Sequence, residues 1–111
     1  GQQQLEEAQR VADDARAALE RLPRPEQARI TLLEYESGLS FKAREFEAAR
    51  VKALEAVALA EAHYDPSDPR LASHLITLGN AYGMLMRLDE AEAAFRHAVE
   101  QLRRSYRGDH P

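Results

Sequence analysis

Four histidines, His63, His74, His97 and His110, are the side chains best suited to hold a metal or move a proton, and their spacing assigns them neither role. They fall at helix ends or on separate helical stretches, and no two stand four residues apart, as a helical metal site requires. His97 and Glu100 are three residues apart on one face, which reads as a solvated pair, because a metal needs further converging ligands. Asp13 and Asp14 are adjacent, so on a helix their carboxylates diverge and cannot share a proton. Ser37, Ser40, Ser67, Ser73 and Ser105 lack the strand–turn–helix setting of a nucleophile elbow. Gly79 and Gly83 lie within a helical stretch instead of a phosphate-cradling loop. The chain has no Cys, which removes thiol catalysis, disulfides and Cys-ligated zinc. The expectation is a non-enzymatic chain with no catalytic residue, no metal and no cofactor.

The elements that would have to position any site are helices. Twenty of the 111 residues are Ala and only 6% are aromatic, a composition suited to close-packed helices and not to a sheet face. With 15 Lys and Arg against 19 Asp and Glu, the net charge is −4, which argues against nucleic acid or an anionic membrane as partner. No apolar run approaches the roughly 20 residues of a membrane span, and no leader pattern opens the chain. No membrane insertion and a cytoplasmic location are therefore expected. Gly1-Gln2-Gln3-Gln4 reads as a frayed end.

Leu5, Ala8, Val11, Ala12, Ala15, Leu19 and Leu22 recur at helical steps until Pro23 and Pro25 break the pattern. A second helix starts near Pro25 or Glu26 and runs through Ile30, Leu33 and Ser37 towards Ala43. The third, from Phe46 to Tyr64, carries Ala49, Ala53, Ala56, Val57 and Ala60 on one side. Val51, Leu54 and Leu59 give it a second apolar side, so it should lie buried between neighbours. Asp68 and Pro69 suit the cap and first turn of a fourth helix with Leu71, Leu75, Leu78 and Tyr82 buried. After a turn at Met86-Arg87, the fifth carries Leu88, Ala91, Phe95, Ala98, Val99, Leu102 and Tyr106, with Gly108 as its stop.

Sliding the chain by 42 residues sets Leu33 on Leu75, Phe46 on Leu88, Ala49 on Ala91, Ala56 on Ala98, Val57 on Val99 and Tyr64 on Tyr106. Pro69 likewise falls on Pro111, and a shift of 41 sets Leu5, Ala8, Ala12 and Ala15 on Phe46, Ala49, Ala53 and Ala56. A period of this size means stacked helix pairs, each unable to bury its apolar face alone.

Leu75, Leu78-Gly79, Tyr82, Ala91, Phe95 and Ala98 fall at the spacings of a known signature, and the chain here resembles the tetratricopeptide repeat family. The 42-residue period looks like the longer repeats of the kinesin light chain type. In the earlier unit the pattern departs: Glu36 stands for Leu78, Ser40 for Tyr82 and Ala53 for Phe95. The resemblance implies an all-α fold of antiparallel helix pairs stacked as a short right-handed solenoid of about five helices. It divides the chain into the second helix of a preceding repeat (1–22), a divergent repeat (23–66), a well-matched repeat (67–108) and the start of a further one (109–111).

In this family the first helix of each pair lines a concave groove that holds a peptide or a helix. Carried over, the resemblance implies a binding surface of Thr31, Glu34, Tyr35, Gly38, Phe41 and Lys42 on the second helix. The fourth helix adds Ser73, Ile76, Thr77, Asn80, Gly83 and Met84. Asn80 either grips a ligand backbone by donating and accepting at once or is merely solvated. Tyr35 and Phe41 are aromatic anchors if they face the groove, the alternative being that one fills the space left by Ser40. Met84 is a groove contact or a gap-filler. Ile76 and Glu34 stand where a carboxylate clamp would carry cations, so no such clamp is expected and Glu34 favours a basic ligand. The function expected is a non-catalytic interaction module for a protein or peptide ligand. The alternative is self-assembly, giving a homo-oligomer, through end helices whose apolar faces carry no polar cap.

Overall fold

The computed structural model describes residues 1–107. Helical propensity and apolar spacing act together there, and the chain coils into α1 (Gln2–Leu19), α2 (Glu26–Lys42), α3 (Phe46–His63), α4 (Arg70–Met84) and α5 (Leu88–Arg107). No strand occurs among the described residues. Each helix packs on the next along the chain, and the Cα atoms occupy a slab of 44 × 39 × 17 Å. The architecture is an all-α, repeat-like stack. The expected stop at Gly108, His110 and the further unit at 109–111 lie outside the described residues.

The turns inside the two helix pairs show the 42-residue period in the backbone itself. Arg44 at φ 60° and Met86 at φ 61° are the only non-glycine residues of positive φ among those described. Before Arg44, the amides of Ala43, Arg44 and Glu45 donate to the carbonyls of Leu39, Phe41 and Ser40. Before Met86, those of Leu85, Met86 and Arg87 donate to Ala81, Gly83 and Tyr82, the same pattern 42 residues on. Both are Schellman closures, in which one left-handed residue lets two amides satisfy the last free carbonyls of the helix.

Between the pairs, Asp65 accepts hydrogen bonds from the Ser67 amide and hydroxyl at 2.9 and 2.7 Å. Asp68 accepts the Arg70 amide at 2.9 Å and so caps α4, whose Pro69 already has helical φ and ψ. The Tyr64 ring closes this joint. Its hydroxyl donates to Gln27 Oε1 on α2 at 2.8 Å, the Arg70 guanidinium lies 3.9 Å from its centroid, and His74 stacks at 6.4 Å.

Small residues let the helices approach. Ala53, Val57, Ala72, Leu75, Leu78 and Ala98 form the main core, with Tyr82 and Leu102 against it. Ile30, Ala60, Tyr64 and Leu71 form a second cluster, and Ala12, Leu19 and Leu32 fasten α1. Gly79 lets the Phe95 ring lie against α4: a Cβ there would sit 2.8 Å from Cε1 and Cζ of Phe95.

Several expectations are corrected. Gln2, Gln3 and Gln4 are the first turn of α1, not a frayed end, and α1 stops at Leu19, leaving Leu22 exposed in the turn. Val11 also faces out, because α1 has a neighbour on one side only among the described residues. Val51 and Leu54 are exposed while Leu59 is half-buried against the second cluster, so α3 is buried mainly through its alanines and Val57. On α5, Ala91 and Ala98 are buried and Phe95 sets its ring against Gly79 of α4 while staying 37% exposed, but Leu88, Val99 and Tyr106 lie on a side that no described helix covers.

Candidate functional site

A helix sandwiched by neighbours shows solvent one stripe, and on α2 and α4 that stripe carries most of the groove residues expected above. On α2, Thr31, Glu34, Tyr35, Gly38 and Lys42 are exposed. On α4, 42 residues later, Ser73, Ile76, Asn80 and Met84 are exposed, and Thr77 is half-buried with its hydroxyl donating to the Ser73 carbonyl at 3.2 Å. The large apolar members, Tyr35 (51%), Ile76 (40%) and Met84 (49%), keep much of their surface in water. Such exposure costs solubility without adding to the core, and it suits a contact surface.

Thr31, Glu34, Tyr35, Gly38 and Lys42 surround one shallow recess of about 310 Å³ on α2, with Leu39 as the further wall. Glu34 and Lys42 bring opposite charges to its rim. Gly38 leaves it open: a Cβ at that position would meet nothing within 4 Å. Phe41 is not part of it. Its half-buried ring packs edge-on against Phe46, with centroids 5.9 Å apart. Nor does Phe41 fill the space vacated by Ser40, which borders a separate recess of about 250 Å³ between α1 and α2.

Glu34 links α2 to α4: its Oε2 lies 3.7 Å from Nδ1 of the buried His74. Burial pushes the His74 pKa below the ordinary histidine value; Glu34 opposes that fall and Arg70 adds to it. The imidazole is accordingly neutral at neutral pH, and the Glu34 charge stays available to a cationic ligand.

Glu36 explains the departure of the earlier unit. Where Leu78 fills the core of the later pair, the Glu36 carboxylate is buried, at 4% exposure, and pairs with Arg16 of α1. Lys52 Nζ of α3 stands 3.7 Å away and Gln9 Nε2 donates from 3.4 Å. A buried carboxylate is tolerated only with such partners, and here they tie α1, α2 and α3 together. Ser37, where the later unit has Gly79, donates to the Ala49 carbonyl at 3.2 Å. Sequence reasoning missed the joint of Tyr64, Arg70 and His74, and also Leu39. The signal was present for the first: Tyr64 recurs as Tyr106 in the 42-residue register.

No group of three or more His, Cys, Asp or Glu side chains able to hold a metal occurs among the described residues, and no described helix is long and apolar enough to cross a membrane. No family model matches the chain, and no curated protein does.

Proposed function

We propose that this chain is a tetratricopeptide-type repeat segment whose α2–α4 side binds a polypeptide, without catalysis. The observation that supports the reading is the coincidence of exposure at the repeat shift: Thr31 with Ser73, Glu34 with Ile76, Gly38 with Asn80 and Lys42 with Met84. Packing does not require Tyr35, Ile76 or Met84 on that surface. A ligand strand or helix laid across both helices would cover Tyr35 and Met84, hydrogen-bond to the Asn80 amide through its backbone, and place a basic side chain by Glu34.

The experiment is selection of binders to the chain from a displayed random-peptide library, followed by titration of one selected peptide. Tyr35→Ala is expected to weaken it by about 2 kcal/mol, roughly 30-fold, as loss of an aromatic anchor does. Asn80→Ala is expected to cost about 1 kcal/mol, and Val11→Ala on α1 to change nothing. Peptides that bind both variants as tightly as the parent would remove the surface from the reading.

A further inference from the structure

The open side of α5 is an apolar face that the peptide-binding reading leaves unused. Leu88 (59% exposed), Phe95 (37%), Val99 (46%) and Tyr106 (88%) recur at seven-, four- and seven-residue steps, the spacing of one stripe. Their counterparts 42 residues earlier are Phe46, Ala53, Val57 and Tyr64, and the last three are buried at 2%, 7% and 8%. The same register is thus covered by α4 on α3 but open on α5, where Phe95 leans its ring on Gly79 of α4 and is still 37% exposed.

A row of charges flanks the bare stripe on one side: Glu92, Arg96, Glu100 and Arg103. At about 100° per residue these lie next to the apolar row, on the side away from the face that α5 sets against α4. Their signs alternate, so the row read backwards is the row with every sign reversed. We propose that the occupant of this face is α5 of a second copy of the chain, antiparallel about a two-fold axis at the middle of the helix.

Such an axis brings apolar row to apolar row and charged row to charged row. Leu88 then opposes Tyr106 of the second copy, and Phe95 opposes Val99. In the same register, within a residue or two, Glu92 meets Arg103 and Arg96 meets Glu100, and each contact occurs twice. A parallel copy, related by a two-fold axis along the helices, would put the two charged rows on opposite sides of the seam, where they cannot pair. A helix seated as α4 sits on α3 would leave the alternation without a purpose, since the corresponding positions Leu54, Ala58 and Glu61 stay exposed on α3. The four charges are free to turn outward: among the described residues they make only exposed pairs, Arg96 with Glu92 at 3.5 Å and Arg103 with Glu100 at 3.2 Å.

Sedimentation equilibrium of the chain and three variants tests this, using exposed residues whose change leaves the fold intact by circular dichroism. The parent is expected to dimerise. Arg96→Glu and Glu100→Arg should each weaken the dimer by about 10- to 100-fold, because two attractions become two repulsions. The double variant should restore it, and an equimolar mixture of the single variants should form the mixed dimer. A parent that stays monomeric at the highest attainable concentration overturns the proposal, as does a dimer that ignores Arg96→Glu. A monomer that instead binds an added peptide of residues 70–84 on α5 also overturns it, assigning the face to an α4-like helix.

Discussion

Three glycines interrupt helix interiors, and the structure assigns them different fates on gaining a methyl group. Glycine within a helix is about 1 kcal/mol worse than alanine, because it loses more backbone freedom on folding. At Gly38 and Gly83 a Cβ would meet nothing within 4 Å. Gly38→Ala should therefore stabilise by nearly the full helical difference, about 0.8 kcal/mol, and Gly83→Ala by about half that, being one residue from the end of α4. At Gly79 the added Cβ would lie 2.8 Å from two Phe95 ring carbons and 3.0 Å from a third. Carbon contacts settle at about 3.5–4.0 Å, so the ring must retreat by about 0.7 Å or more. Overpacking in a closed core costs about 1–3 kcal/mol, but here the obstacle is the far end of a ring that is 37% exposed, so the cost falls at the low end and cancels the helical gain, leaving Gly79→Ala with no net stabilisation.

Urea unfolding followed by far-ultraviolet circular dichroism reads all three, with midpoints shifting at constant slope. Phe95→Leu adds the decisive arm. If the ring is the obstacle, Gly79→Ala is more favourable when combined with Phe95→Leu than beside the native Phe95, a coupling visible in a double-mutant cycle. Gly79→Ala as stabilising as Gly38→Ala would refute the tight contact. Gly38 also links stability to binding: a helix interior that forgoes an available methyl group keeps the floor of the α2 recess open.

Two further predictions concern the turns and the buried carboxylate. Met86→Gly should stabilise by about 0.5–1 kcal/mol by relieving a left-handed non-glycine residue, and thermal melts would show a rise of a few degrees. Arg44→Gly should gain less, since Arg44 lies 5.5 Å from the centroid of the Phe46 ring and that contact is lost; a loss of stability in the Met86 variant would contradict the turn geometry. Glu36→Ala should cost about 1–3 kcal/mol, below the penalty for a fully buried pair, because Arg16 and Lys52 are each about a third exposed and can turn to water. Hydrogen exchange should then quicken in α1 while α4 and α5 keep their protection, and Glu36→Leu, which supplies the apolar residue found at position 78, should cost less than Glu36→Ala.

The five helices were legible because their apolar period is unmistakable: Pro23, Pro25, Pro66 and Pro69 mark the breaks between pairs, and the 42-residue register carries the turns inside them. The exposed rows on α2 and α4 were legible for a related reason: a 42-residue repeat places corresponding residues in corresponding surroundings. What failed was inference about burial at positions whose cover lies elsewhere. Leu88 and Val99 have the period of a core face, yet period describes a helix and says nothing of what packs on it. Glu36 looked like a defect because its partners, Arg16 and Lys52, are 20 and 16 residues away and only the fold brings them in. His74 and Glu34, 40 residues apart, were hidden in the same way.

The two surfaces bear on each other through geometry. None of the groove residues is on α5, so pairing through α5 would leave both α2–α4 rows open and join them in one particle. On the proposed reading a single row offers little: Tyr35, Ile76 and Met84 stand apart on a shallow surface, and one recess of about 310 Å³ would bury only part of a ligand segment. Two such rows held at fixed separation make the second contact intramolecular, and overall affinity for a ligand with two matching segments can rise by about 10²–10⁴ with no new contact. On that reasoning the alternating charges of α5 set how strongly a shallow groove can hold its ligand, and Arg96→Glu, far from the groove, should weaken capture of a two-segment ligand while leaving a single segment bound as before.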